Sequence, residues 1–519
     1  MSERTGATAQ SGRVRGASRR RRGGSVSGGQ RRSGWRGGWR AVLLACGAVT
    51  VAGCASRSGA QLLVLRGAHV FDSELGEMLE RTVLIRDGVI ERVAPPDADV
   101  EPVGADVRTL PGKWILPGFV DTHAHVALGP VGLRAEGESV VPYVDLDAQP
   151  EVTRRSLLTL LAFGVTTARD PGGPTELTVA TRSAVARGEL IGPRLRVAGA
   201  IIDTTRFDGL AVQVSTADEV RTEVRRQAAA GVDMIKLYAG LDPELLASGI
   251  DEARAQGLPA VGHLMTSTWT EGARLGLHSV LHIVPGSPAL LPDTERAAYE
   301  DERVGTISLA TWFERADLDG PEMRAAIEAL ARHETWVDPT LAVFEATFFG
   351  DDPARATRAD GLDLATPALI DNWRSGFRFD VGWGPDAYER AHAAWPKVLE
   401  LSRRLYESGV RLTAGTDANN PWVTPGPSFH RELELLVSAG IPARSVLQIA
   451  TRNGAEALGL RGEIGNVAVG QRADLVVLSE NPLADITATR SIEWVIQGGV
   501  IWTPGELLRQ LDAGPARAR

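Results

Sequence analysis

Apolar and polar positions alternate over most of residues 61–114. LLVLRGAHVFD, MLERTVLIRDGVIERVA and DVRTLPGKWIL keep this period of two, and the turn-forming pairs Asp87-Gly88 and Pro111-Gly112 interrupt them. This texture predicts short strands in a small β-sandwich. After residue 125 it changes to short apolar runs alternating with amphipathic segments. Strands are predicted within 163–173, 194–202, 232–240, 258–264, 278–284, 335–341 and 410–418. Helices are predicted over 176–189, 217–231, 243–257 and 266–276, and Gly231 serves as a C-cap. With the run that begins at 115 there are eight strand candidates, the number a (β/α)8 barrel requires.

Residues 342–409 are too long for one crossover, and their aromatic-rich helical segments suggest an insertion over the barrel mouth. HRELELLVSAG (430–440) and ARSVLQIATRNGAEALGL (443–460) read as closing helices. Strand texture returns from 461. The predicted fold class is therefore α/β: a (β/α)8 TIM-type barrel over 115–460, with a small β-sandwich built from 61–114 and 461–510. Residues 511–519 are expected to form a flexible tail.

The N-terminus is a different material. Its first forty residues are rich in Arg, Ser and Gly, and a twelve-residue apolar run follows at 41–52. Crossing a bilayer takes about 20 residues, so a basic segment, a short apolar run and small residues describe a secretory signal over 1–53. VAGC (51–54) also resembles the bacterial lipobox, which implies cleavage before Cys54 and acylation of its thiol. On this reading 54–60 is a tether, and the protein is lipid-anchored to the membrane on the extracytoplasmic side of a bacterial cell envelope. Loss of eleven arginines and Glu3 would take the formal charge from −9 to −19. So acidic a chain, with no basic stripe, argues against a nucleic-acid partner. Cys46 would leave with the signal, so no disulfide is expected.

The chain otherwise has ordinary globular composition, 43% hydrophobic and 23% charged, and length enough for a large core. Its candidate chemistry begins at residues 115–125 (ILPGFVDTHAH). A strand's period of two places His123 and His125 on one face, where two imidazoles at a strand end make a metal site. Lys236, His263, His282 and Asp417 each fall at the C-terminal end of a later predicted strand. That is the face on which such barrels build active sites.

DTHAH, MIKLY, GHLMT, SVLHI and AGTDA, in this order, resemble the amidohydrolase superfamily, in its imidazolonepropionase and Xaa-Pro dipeptidase-like subgroup. GVTTARDPGG, HRELELLVSAG and QRADLVVLSENPL are similar to its flanking segments, so the resemblance covers about residues 61–505. It implies two divalent metal ions, commonly Zn2+. His123, His125 and Asp417 would hold one and His263 and His282 the other, bridged by Lys236 as a CO2-derived carbamate. A metal-bound hydroxide would attack the substrate carbonyl, with Asp417 as general base and then general acid. Tyr238, one side-chain period beyond Lys236, either contacts the tetrahedral oxygen or a substrate carboxylate, or merely packs.

The implied substrate is a small molecule cleaved at a C–N bond, an Xaa-Pro dipeptide or acyl-amino acid; the alternative is a cyclic amide, a lactone or an organophosphate. An inactive envelope binding protein is the reading from another class, and an intact ligand set argues against it. The IVPGS segment after His282 departs from the subgroup, which often has glycine there. His430 either lines the pocket or starts a helix without a ligand role. Arg169-Asp170 reads as a structural ion pair, and His278 is left outside the ligand set. Whether the chain forms a homo-oligomer is left open.

Overall fold

In the computed structural model, Phe119–Asp121 pairs in parallel with Val165–Asp170, which pairs in turn with Arg194–Val197. A second parallel sheet runs Ala211–Gln213, Ile201–Asp203, Ile235–Leu237, Ala260–Gly262, Ser279–Leu281 and Trp336–Asp338. Most of these strands are buried on both faces, which explains their short apolar runs. The bridge Ala198–Met234 links the two sheets, while Val337–Leu412 and Ala124–Ala418 tie residues 410–418 to strands on either side. The structure describes residues 61–512 apart from 99, 138 and 357–360. The leader over 1–53, Cys54, the tether and residues 513–519 lie outside the described residues. Among those described, no helix is long and apolar enough to cross a membrane.

Helices follow the strands where the sequence carries start and stop signals. Ala217–Ala230 opens with a Thr216–Glu219 capping box and ends at Gly231, whose φ of 86° is left-handed. Two predicted strands differ from expectation. Residues 194–202 split, because Arg194–Val197 pairs with Val165–Asp170 whereas Ile201–Asp203 pairs with Ala211–Gln213. Residues 410–418 form no regular strand, since Asp417 at φ 61° cannot continue an extended chain.

Five elements were not anticipated. An antiparallel hairpin joins Val131–Glu136 to Ser139–Val144, and Gln149–Ala162 is helical. Asp293–Glu302, Ile307–Arg315 and Pro321–Arg332 add helices before the expected insertion. Within 342–409 the main helices are Leu341–Phe348, Pro367–Ser375 and Pro385–Glu407.

The two chain ends meet in one smaller sheet. Leu62–Asp72, Glu77–Arg86 and Val89–Ala94 lie on one side of Trp114–Pro117; Leu475–Leu478, Ile492–Gln497 and Val500–Trp502 lie on the other. Asp106–Thr109 also pairs with Leu62–Asp72. Hydrogen bonding runs unbroken across these eight strands, with bulges at several pairings, and Leu63, Leu65, Val83, Ile85, Ile115, Leu475, Val477 and Ile496 pack into a core of their own. Because Trp114–Pro117 belongs to it, the small sheet extends to 117 instead of ending at 114. The expected tail is also corrected at its start. Pro504–Asp512 is a helix whose Leu507 and Leu511 are buried against Leu158 and Leu161.

Candidate functional site

The site gathers where parallel strands end and the backbone turns sharply. His282, Thr340, Asp417 and Asn419 have φ of 72°, 51°, 61° and 69°, a region that costs a side-chain-bearing residue about 1–3 kcal/mol. His282 follows Ser279–Leu281, and Thr340 follows Trp336–Asp338 after one proline. The surrounding backbone compensates for the strain. Asp417 N–H donates to His123 O at 2.8 Å, and His282 N–H donates to Asp338 O at 2.8 Å.

This backbone brings the expected side chains together. Asp417 Oδ1 lies 3.2 Å from His123 Nε2 and 3.3 Å from His125 Nε2. His282 Nδ1 is 3.9 Å from Asp417 Oδ2, and the His263 and His282 ring centres are 4.4 Å apart. Lys236 Nζ lies 5.4 Å from the centre of the Tyr238 ring, which in turn stands edge-on to His263 at 5.0 Å. His123, His125, Lys236, Tyr238, His263, His282 and Asp417 thus lie together.

A buried layer beneath holds this arrangement. Asp338 Oδ2 accepts from Thr122 Oγ1 at 2.8 Å and from Arg169 Nη2 at 3.1 Å. Arg169 Nε also donates to Thr122 O. Adjacent strand residues point to opposite faces, so Arg169 does not pair with Asp170 as the sequence suggested. Asp170 Oδ1 instead sits 3.8 Å from His125 Nδ1 and accepts from Gly172 N–H. Asp121 accepts from His123 N–H and from Thr416 Oγ1. Sequence reasoning missed Asp338, although it ends the seventh predicted strand just as the named residues end theirs.

Burial sets the charge states. It lowers His123 and His263 to about 3 and His282 well below the ordinary value, so all three are neutral imidazoles at pH 7. Burial also lowers Lys236 to about 7. For Asp417 burial acts upward, but the facing histidines outweigh it and hold the carboxyl well below its usual range.

The donor set fits metal ions. His123 Nδ1 and both ring nitrogens of His263 have no hydrogen-bond partner, although both rings are buried. His125 Nδ1 donates to Gly172 O at 2.8 Å, which turns Nε2 toward Asp417. His282 Nδ1 bonds Thr340 Oγ1 at 2.8 Å, which orients that ring. Side-chain donor atoms of His123, His282 and Asp417 lie within 4.8 Å of one another, so His282 stands near the first histidine as well as near His263.

A cavity of about 310 Å³ opens onto this cluster. The loop after Ile201–Asp203 contributes Thr205, Phe207 and Leu210, the hairpin contributes Val131, and the inserted region contributes Phe377 and Phe379. Tyr238 lines the cavity too, but His430 does not. It lies inside Pro427–Ser438, where Nε2 donates to Phe163 O at 3.0 Å and Nδ1 faces Thr489 Oγ1 at 2.9 Å. His278 sits at the opposite strand end, bonded through Nε2 to Ala457 O. Asp203 was missed as well; it ends Ile201–Asp203 beside Lys236's strand and lines the same cavity.

Residues 114–285 and 378–501 match the amidohydrolase family. The chain is similar to the imidazolonepropionase of Chromobacterium violaceum, with 26% identity over 437 residues, covering 80% of this chain and 89% of that protein. Its fold is similar to that of an Xaa-Pro dipeptidase with methionine bound in the active site. That likeness has a TM-score of 0.62 and 19% identity, and covers 85% of this chain and 100% of the other. The bottromycin amidohydrolase matches with a TM-score of 0.64 and 25% identity, over 87% and 90% of the two chains. With family segments spanning the His-x-His strand, the lysine and histidine strand ends and Asp417, the chain belongs to the amidohydrolase family of hydrolases acting on carbon–nitrogen bonds.

Proposed function

We propose that this protein is a binuclear metal-dependent amidohydrolase that cleaves an amide bond of peptide type. The observation that carries this reading is the convergence of His123, His125 and His282 on Asp417, with unpartnered nitrogens on His123 and His263. His123, His125 and Asp417 would hold one ion, His263 and His282 a second, with Lys236 between them. Divalent ions, Zn2+ being the commonest choice for such a nitrogen-rich set, supply Lewis acidity that brings water's pKa towards 7 and polarises the carbonyl.

The protein's own groups then manage the protons. Asp417, ionised, accepts the proton of the attacking water as the carbon–oxygen bond forms. The same carboxyl returns that proton to the leaving nitrogen as the carbon–nitrogen bond breaks. Burial keeps the Tyr238 hydroxyl protonated, so it can donate to the oxygen on which negative charge develops. Lys236 is read as a carbamate. A buried amine with a pKa near 7 is partly neutral at pH 7, and its lone pair can add to CO2, releasing one proton and leaving an anionic carbamate in place of the neutral amine.

Peptide-type substrates, Xaa-Pro dipeptides or acyl-amino acids, are favoured by the likeness to the Xaa-Pro dipeptidase, and a cyclic amide by the imidazolonepropionase. We read the parallel strands as a (β/α)8 barrel, a reading supported by the three linking bridges. Residues 118–460 would form it, with the helical insertion over its mouth. The lipobox-like VAGC supports a lipid-anchored, extracytoplasmic protein. The test is metal content by mass spectrometry, beside amide hydrolysis in the presence of bicarbonate. Two ions per chain are expected, with His263→Ala and His282→Ala each losing metal. Full occupancy in both variants would show that the second site is misassigned.

A further inference from the structure

The cavity wall away from the histidines is asymmetric in charge. Leu128, Val131, Ile201, Phe207, Phe377 and Phe379 make most of it apolar, and Asp203 is a carboxylate set among them. Asp203 is buried, which pushes its carboxyl upward, while Gly240 N–H at 2.9 Å, the backbone amides of Thr204 and Thr205 and the Thr205 side chain donate to it and hold it down. These amides orient it without neutralising it. Among the described residues lining the cavity, Lys236 is the only lysine or arginine, and it belongs to the metal set.

The arginines on the lining segments are already committed. Arg378, between Phe377 and Phe379, donates to Asp380 at 2.7 Å. Arg134 and Arg206 share Glu136 and Asp208, with contacts from 2.6 to 2.9 Å. A substrate carboxylate entering here would meet Asp203 and no free cation. A protonated amine would find a desolvated carboxylate on the cavity wall. Burying an unpaired charge is costly, so such an amine gains where an alcohol or acetamide does not.

We infer that Asp203 is a specificity-determining residue that binds the ammonium group of the substrate, so that the enzyme reads the amino end of an apolar aminoacyl amide and needs no free carboxylate. The inference rests on the amide-hydrolase reading above and narrows it. Among dipeptides it selects those with an open amino terminus, and it disfavours N-acylated amino acids.

The test uses Phe-Pro in four forms: free, N-acetylated, C-amidated and blocked at both ends. With metal-loaded protein, amidation should leave kcat/KM unchanged or raise it, and acetylation should lower it about 10- to 100-fold. Asp203→Asn keeps the acceptor for Gly240 N–H while removing the charge. In that variant the acetylation penalty should vanish while the doubly blocked form is cleaved as by the parent, which reports an intact site. A preference for the free acid, or an acetylation penalty that survives Asp203→Asn, would overturn the inference. If no form is cleaved, calorimetric binding of 2-phenylethylamine against 2-phenylethanol separates the two proposals. Tighter amine binding that Asp203→Asn abolishes would sustain the role of Asp203 and move the failure to the choice of scissile bond. Equal binding of the two would refute it.

Discussion

Asp417 holds His123 twice: its backbone N–H donates to the histidine's carbonyl at 2.8 Å, and its carboxylate lies 3.2 Å from the ring. Only the second contact depends on the side chain's charge. Asp417→Asn should therefore fold normally and lose the proton acceptor, lowering kcat by about 10²- to 10⁴-fold. Steady-state kinetics beside a thermal melt will check this. Activity within tenfold of the parent would remove Asp417 from proton transfer.

Gly415 fills a space that no side chain fits. A Cβ there would stand 2.5 Å from Asp338 Oδ2 and 2.6 Å from His123 Cβ, both fixed by the buried layer. Gly415→Ala should cost about 1–3 kcal/mol by overpacking and weaken metal retention by displacing His123. Urea denaturation and metal analysis read the two effects separately. A parental midpoint with parental metal content would mean that the backbone opens freely at this point.

His430 makes stability depend on pH. Burial holds it at about 3, against about 6.5 in an unfolded chain. Below pH 6.5 the unfolded state binds a proton that the folded state refuses, so stability falls as pH drops from 6.5 towards 3. The slope from this one group is at most about 1.4 kcal/mol per pH unit. His430→Gln should be less stable at pH 7.5, through its lost packing and bonds, yet lose less on acidification to pH 5. Parallel curves of denaturation midpoint against pH would exclude this role.

Leu507 tests the C-terminal helix. It is fully buried with Leu158 and Leu161, while Arg154 donates to Gln510 O and Leu511 O at 2.9 and 3.0 Å. Leu507→Ala should destabilise the protein by about 2–4 kcal/mol. No shift in the melting temperature would mean that this segment is detached in solution.

The residues proposed to hold metal were legible because each lies in or just after a short apolar run, a position that local periodicity reveals. His123, His125, Lys236, His263, His282 and Asp417 all lie where that pattern put them. What was hidden depends on partners distant in sequence. Arg169 reads locally as a neighbour of Asp170, but its partner Asp338 arrives only through the sheet. Residues 410–418 have strand composition, and the left-handed turn at Asp417 overrides it. Asp203 carries no motif; its meaning comes from the aromatic residues of an inserted segment more than 170 positions later. The helix Pro504–Asp512 is too short to announce itself without the apolar surface it covers.

The pairing of Trp114–Pro117 with Leu475–Leu478 has a consequence for biosynthesis. The first of these strands leaves the ribosome about 360 residues before its partner exists. Until then an apolar edge has open N–H and C=O groups, and such edges template intermolecular association. So distant a contact also makes closure of the small sheet slow, because the intervening chain must first be gathered in. The N-terminal strands can reach their final state only after synthesis nears its end. Until the last strands arrive, that edge is the part of the nascent chain most open to association.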